Sequence, residues 1–332
     1  MRAKGIGDEA VERAFAAGAI LRTHVLRPTW HFVLPADIRL LLTATAPRIQ
    51  AGNAGRYRRL GLDAATLRRS RDVLAGTLRG GEQLTRAELA QVLVSAGIAV
   101  DGQRLPHLLM DAELDAVICS GPRRGKQHTY MLLEERAPPA PDPPRDQALA
   151  ELARRFFIGH GPATAKDFAV WASLTLAEAR SSIEAAGPKL RREEGEGLVF
   201  WSGADAPQRA PGLRSPVVHL VQGYDEYIMG YTQTKRLLAR PGSPWTPAAP
   251  PVFGLVILLD GHVAGFWKRT VKREEVIIEA APLEPLDAAL TALEVEAARY
   301  GKFLGLAARL HVAPAGDDKA SAALENGEDG DA

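Results

Sequence analysis

One pattern, present twice, restricts the fold of this chain more than any other feature. Residues 84–101 read "LTRAELAQVLVSAGIAVD" and residues 163–180 read "ATAKDFAVWASLTLAEAR". Thr85 stands three positions before Glu88, and Thr164 three before Asp167. A hydroxyl that accepts from the amide three residues on, answered by an acid that accepts from the threonine's own amide, closes the first turn of a helix. The first instance is a capping box and the second a near variant. Each copy follows another helical stretch ("RRSRDVLAGTLRG" and "DQALAELARRFFIGHG"), precedes a further one, and ends in two strand-like runs about a turn. In the first copy these are "AVICSG" and "QHTYMLL", joined through "PRRGK". In the second they are "PKLRREE" and "GLVFW", joined through "GEG".

Three short helices and a β-ribbon make the layout of a winged helix, a helix-turn-helix variant. The period is too long and the copies too few for a solenoid. A third ribbon lies near the start. "RTHVLRPTWHFV", residues 22–33, alternates about a turn at Arg27 and Pro28, and it follows the amphipathic stretch "DEAVERAFAAGAI". It reads as the carboxy-terminal half of a first winged helix, with Trp30 and Phe32 on a core-facing side. A helix and a ribbon bury too little to stand alone. The half-domain therefore either docks on its neighbours or the chain begins at an internal methionine, and the internal start is the expectation here.

Past Pro216 the texture turns to short strand-like runs, "VVHLVQGYDEYIMGY", "VFGLVILLDG", "HVAGFWKRTV" and "EEVIIEA", with Asp260-Gly261 as a hairpin signal. A helix at about 286–301 and a last strand near "AARLHVA" complete a small barrel or sheet. The expected fold is α+β, with tandem winged-helix domains followed by a small β-barrel or sheet domain. The boundaries are residues 1–35 for the half winged helix, 36–137 for a helical connector and second winged helix, 145–205 for a third, 214–314 for a β-barrel-like domain with one helix, and 315–332 for a disordered acidic tail. The proline-rich "ERAPPAPDPPRDQ" reads as a linker.

Composition narrows the function less than the pattern does. Lys and Arg number 41 against 40 Asp and Glu, so whole-chain charge names no partner. A single cysteine, Cys119, excludes an internal disulfide framework and a cysteine-built zinc site, and it fits a reducing, cytoplasmic compartment. No run resembles a signal peptide or a bilayer span. No cofactor loop, metal-ligand spacing or nucleophile motif stands out.

The stretches "RTHVLRPTWHFV", "LTRAEL", "HGPATAKDFAVW", "YDEYIMGY" and "GLVILLDGHVAGFWKR" resemble, in family order, the winged-helix DNA-binding proteins related to the AlkZ-like DNA glycosylases. That resemblance implies three tandem winged helices and a β-barrel arranged around duplex DNA. It also implies a catalytic pair of glutamines, or a glutamine and an acid, flanking one apolar residue in the amino-terminal part of the first winged helix. No such motif precedes Asp8, and Gln50, Gln83, Gln91, Gln103, Gln127 and Gln147 stand singly. The expected function is double-stranded DNA binding without complete catalytic machinery in this chain. The alternatives are an active glycosylase that excises alkylated or crosslinked bases and, last, a transcription regulator. Tandem wings within one chain favour a monomer.

The candidate DNA contacts follow from charge and layout. Arg123, Arg124 and Lys126 occupy the tip of the second ribbon, and Arg27 the tip of the first. Arg56, Arg58 and Arg59, with Arg68, Arg69 and Arg71 beyond them, make residues 53–71 the most basic stretch, and Tyr57 among them offers a stacking surface. Strand histidines are commonly hydrogen-bonded structural residues; the other role for His24 and His31 is contact with a flipped nucleotide or a phosphate. Lys268 and Arg269 alternate on a strand of the β domain, while the third ribbon, "RREEGEG", mixes signs and reads as a spacer. Tyr224 and Asp225 are candidate cleft-lining residues, against the commoner role of an Asp that orders a loop through backbone amides. His160 reads as part of a turn between helices.

Overall fold

The computed structural model describes residues 5–137, 143–207, 215–246 and 255–316. The expected acidic tail and the middle of the proline-rich linker fall almost wholly outside the described residues. The chain divides into two compact units, one spanning Val11–Ala204 and the other combining Met1–Ala10 with Asp205–Ala332.

The unit spanning Val11–Ala204 takes in most of α1 (Asp8–Ala16), the ribbon β1 (Leu21–Val25) and β2 (Thr29–Val33), and the long helix α2 (Pro35–Leu60). A proline in the first turn suits the start of α2, and Gly61, in the left-handed region at φ 67°, stops it. The first repeat follows: α3 (Ala64–Thr77), β3 (Leu84–Thr85), α4 (Arg86–Ser95), α5 (Arg104–Leu114), β4 (Ile118–Arg124) and β5 (Gln127–Leu132), closed by the short α6 (Leu133–Arg136). Its sheet runs β3-β5-β4. Leu74, Leu78, Leu89, Leu93 and Leu108 fill its core. The second repeat comprises α7 (Arg145–His160), α8 (Ala165–Trp171), α9 (Leu176–Ala186), β6 (Leu190–Gly195) and β7 (Leu198–Gly203). Its core is aromatic, with Phe156 centred 5.0 Å from Phe157, 5.2 Å from Phe168 and 5.0 Å from Trp171. His160 ends α7 and stacks on Phe156.

Both expected caps form as complete boxes, Thr85 with Glu88 and Thr164 with Asp167. A third, Thr175 with Glu178, opens α9 and escaped the sequence reading. Arg155 of α7 meets Asp37 of α2 at 2.7 Å, which ties the second repeat to the long helix.

The first ribbon does not lack a core. It docks on its neighbours: the Ser120 hydroxyl on β4 accepts from the Arg22 amide at 2.9 Å and donates to the Arg22 carbonyl at 2.8 Å. Leu21 and Val25 are fully buried.

The second unit holds β8 (Val218–Val221), α10 (Glu226–Met229), β9 (Val256–Leu259), β10 (His262–Val271), β11 (Glu275–Pro282), α11 (Leu290–Leu304) and β12 (Ala307–Val312). Its strands run β12-β11-β10-β9-β8, antiparallel except for the β11 and β12 pair. β8 and β12 are its edges among the described residues, so of the two expected forms, barrel or sheet, these strands make the sheet. Both faces are covered. Ile257, Val276 and Ile278 pack with Leu293 and Ala297 of α11 on one side, while Val256, Leu258 and Phe266 pack with Ile228 and Trp245 on the other. Burial on both faces explains the unbroken apolar run "LVILL", where alternation would mark a half-exposed strand. The expected strand across "VVHLVQGYDEYIMGY" stops at Val221, because Asp225 caps the helical turn α10.

Candidate nucleic-acid cleft

The first ribbon turns sharply because Leu26 takes a left-handed backbone, φ 60°, with its side chain buried and its amide donated to the Thr45 hydroxyl at 3.2 Å. A leucine holds that conformation only where its surroundings compensate for the strain. Register pairs Arg22 with Phe32 and His24 with Trp30, so the four share one face. On it, His24 is buried and its Nδ1 is hydrogen-bonded to the carboxylate of Glu113, which α5 brings in and which is 1% exposed. The Trp30 ring lies 4.8 Å from the His24 ring, and the Arg22 guanidinium sits 3.8 Å from the Trp30 centroid.

Trp30 and Phe32 are therefore not core residues. They are 45% and 60% exposed, although Phe32 still meets Phe15 edge-on at 5.7 Å. The fold seats the other face of the ribbon, carrying Leu21, Thr23, Val25 and Val33, in the interior. Both faces carry apolar residues, so alternation alone does not say which one is covered.

Beside Trp30 opens a cleft of about 490 Å³, walled by Arg22 and Trp30, by Thr85 and Arg86 at the start of α4, and by His128 and Tyr130 of β5. Neither Arg22 nor Arg86 has a side-chain hydrogen bond or acid partner among the described residues. Burial lowers the Arg22 pKa, opposed by Tyr130 and Glu113. Burial first, then the positive charges of Arg22 and Arg123, hold His128 down at about 4, so its imidazole is neutral at neutral pH. The His128 Nδ1 is buried with no hydrogen-bond partner among the described residues. Burial pushes the Tyr130 hydroxyl up to about 12. At neutral pH the cleft thus presents two guanidiniums, a neutral imidazole, a phenol and an indole.

The sequence-derived candidates scatter around this cleft. Arg123 is ion-paired with Glu12, and Arg124 meets Glu88 at 2.7 Å; Lys126, at the same tip, is exposed with no acid partner among the described residues. Arg56, Arg58 and Arg59 line the exposed side of α2, likewise without acid partners among the described residues. Tyr57 is no stacking surface: it lies in the core of the first repeat, and burial raises its pKa to about 12. Of the further basic residues, Arg71 is tied to Asp111 at 2.6 Å and to Asp115 at 3.0 Å. Arg27 is half-buried at the ribbon turn, and the His31 Nδ1 lies 3.0 Å from the Thr29 carbonyl.

In the second unit, Lys268 pairs with Glu279 at 3.3 Å, and Arg269 donates to Gln222 and to the Tyr300 hydroxyl, 2.5 and 2.6 Å away. Asp225 accepts from the Tyr227 amide at 2.8 Å, the loop-ordering role, while Tyr224 is 69% exposed at φ 60°.

Arg22, Arg86, His128, Tyr130 and Glu113 are not among the sequence-derived candidates. Arg22, Arg86, His128 and Tyr130 stand inside quoted stretches without being singled out, and Glu113 stands in none; they converge from β1, α4, β5 and α5. Among the described residues no three His, Cys, Asp or Glu side chains group as a metal site. No described helix is long and apolar enough to cross a membrane.

Residues 1–303 match the family described as DNA glycosylase AlkZ-like. Among solved structures, the Streptomyces sahachiroi DNA glycosylase AlkZ superposes with a TM-score of 0.75 at 23% identity, covering 92% of this chain and 85% of that one. At that identity the likeness is one of fold. No curated protein matches. Because the family match starts at residue 1, the expectation that this chain lacks the family's amino-terminal segment gains no support from it. With nine-tenths of its residues inside that match, the chain belongs to the AlkZ-like DNA glycosylase family.

Proposed function

We propose that this protein binds duplex DNA as a glycosylase-family protein, through tandem winged helices in the unit spanning Val11–Ala204. The observation that carries the reading is a set of exposed cations left without carboxylate partners among the described residues: Arg56, Arg58 and Arg59 on α2 and Lys126 at the ribbon tip. Other exposed or half-buried arginines of this unit do find acids, among them Arg71, Arg123, Arg124 and Arg155. Cations kept free beside a helix and ribbon framework suit a phosphate backbone. The winged-helix reading is supported by the order of elements and by Leu84 and Thr85 pairing with the second ribbon strand, as the short first strand of a winged helix does.

Arg123 and Arg124 contribute to the field of the ribbon tip while paired, and Arg27 and His31 flank the first ribbon's turn. His24 acts by positioning Trp30. Lys268, Arg269, Asp225 and Tyr224 fall to a secondary role, because the polar groups of the first three are engaged within their own unit. The protein works as a monomer in the cytoplasm, on the nucleoid. Base excision is the alternative and not the first reading of its chemistry, since Gln50, Gln83, Gln91, Gln103, Gln127 and Gln147 form no Gln-apolar-Gln pair.

The test is binding to plain and alkylated duplexes over a salt series, with base release scored in the same tubes. Affinity falling steeply with salt, at a log–log slope of about −0.9 per neutralised phosphate, supports DNA binding. Base release moves the reading to the active enzyme, and no binding at low salt overturns it.

A further inference from the structure

We propose that the amides of Gly80 and Gly81 form a seat for one backbone phosphate of bound DNA, and that Glu135 fills this seat in the free protein and is displaced when the duplex arrives. The inference rests on the DNA-binding reading and adds to it a contact that the protein's own carboxylate holds back.

The seat lies in the exposed loop between α3 and β3. Gly80 and Gly81 stand at φ 82° and 84°, a left-handed backbone that glycine adopts freely. Their N–H groups converge on one carboxylate: Gly80 donates to Glu135 Oε1 at 2.8 Å and Gly81 to Glu135 Oε2 at 2.7 Å. Successive amides aimed at one point make an anion-binding concavity, and an ionised acceptor forms the strongest bonds to it. Nothing lies within 4 Å of the position a Cβ would take at either glycine, so the loop is open to an incoming group. Arg79, just before it, is exposed and has no acid partner among the described residues.

The occupant can leave at little cost. Glu135 is exposed, so its carboxylate returns to water without leaving a buried charge. The α6 turn does not depend on it: Leu133 is fully buried, and Arg136 donates to the Phe15 carbonyl at 2.7 Å and to the Ala16 carbonyl at 3.0 Å. A phosphodiester offers two anionic oxygens as the carboxylate does, and gains the Arg79 guanidinium besides.

The loop is also joined to the surface that the DNA reading uses. Arg124 of β4 donates to the Gln83 carbonyl at 2.5 Å, and Lys126 follows at the ribbon tip. The second repeat has no counterpart. There the chain leaves α7 through Gly161, whose amide is taken by the Phe157 carbonyl at 3.1 Å, and through Pro162, which has no N–H.

Duplex affinity measured by fluorescence anisotropy over a salt series tests the displacement. Glu135→Gln keeps the size of the occupant but weakens it as a competitor, so this variant should bind duplex about fivefold tighter than wild type, the difference between a charged and a neutral hydrogen bond. Glu82→Gln and Glu134→Gln, exposed neighbours with no cation partner among the described residues, remove the same charge without opening the seat and should stay within about twofold of wild type. Arg79→Gln should lower the salt slope by about one. In amide-resolved NMR of the wild type, the Gly80 and Gly81 resonances should move on saturation with duplex. Circular dichroism melts verify that each variant folds.

A folded Glu135→Gln that binds no tighter than the two control variants, or a slope unchanged in folded Arg79→Gln, overturns the inference and leaves the DNA-binding reading standing. If Glu135→Gln does not fold, the wild-type spectra decide, and Gly80 and Gly81 resonances unmoved by saturating duplex overturn it. Failure of the wild-type protein to bind any duplex removes the DNA-binding reading and the inference with it.

Discussion

In the first repeat Leu84 pairs with Tyr130 on the second ribbon strand; in the second repeat Ala163 pairs with Trp201 at the corresponding place. In both, the next threonine caps a helix with an acid three residues on. The frameworks coincide, but the ribbons are charged differently. In the second, Arg191 reaches Glu193 at 2.8 Å and Arg192 reaches Glu194 at 2.5 Å, so the strand neutralises itself. In the first, Arg123 and Arg124 borrow acids from α1 and α4, and Lys126 stays unpaired among the described residues. The cores differ as well, aliphatic in the first repeat and aromatic in the second. The shared part is the local geometry that starts helices and closes ribbons. What distinguishes the copies is charge, together with the extra ribbon β1 and β2 docked on the first one alone, and it is there that the cleft forms.

That contrast can be broken from its most costly point downward. His24→Leu leaves the Glu113 carboxylate buried and unpaired, and should lower unfolding free energy by about 3–5 kcal/mol in denaturant titration. No substitution of a charged residue in the second ribbon should approach that, because its ion pairs are exposed. Thr85→Ala and Thr175→Ala should each cost about 1 kcal/mol, equal within error, if capping is indeed the shared element. A twofold difference between them would show that the two helices are held by different means.

The pH profile separates the repeats next. His128 titrates near 4 in the folded protein and near 6.5 when unfolded. Between those values the unfolded chain binds more protons, so this contribution is fully present above pH 6.5 and is lost as pH falls from 6.5 through 4. Stability of His128→Gln should fall less over that window than that of the wild type, and an unchanged profile would mean His128 is not desolvated. Smallest of all, Glu194→Gln should change stability by less than about 1 kcal/mol. For DNA, Lys126→Gln should weaken binding and reduce the salt slope by about one, while Arg192→Gln should leave the slope unaltered.

Much of the fold was legible because its signals are short-range. The Thr and acid spacing, the alternation of the ribbons, and Asp260-Gly261, both at positive φ in the turn between β9 and β10, each lie within a few residues. The Thr175 and Glu178 box has the same three-residue spacing inside the same stretch, and it is equally local. Charge was legible as composition but not as partnership: Arg56, Arg58, Arg59 and Lys126 remain available, whereas Arg269, with the same local appearance, is held by Gln222 and Tyr300. Tyr57 sat among arginines in the sequence and faces the core in space, because a helix turns 100° per residue and places neighbours on different sides.

By itself, then, the sequence determined where helices begin, where ribbons turn, that the fold is mixed α+β, and the family resemblance. Those properties depend on backbone hydrogen bonds and side chains a few positions apart, which no distant residue needs to complete. Only the tertiary structure decided which face of β1 and β2 is covered, that the sheet stays open, that His24 meets Glu113 across 89 positions, and that Arg22, Arg86, His128 and Tyr130 enclose one cleft. Burial and desolvation are sums over every neighbour in space, and most of those neighbours are remote along the chain.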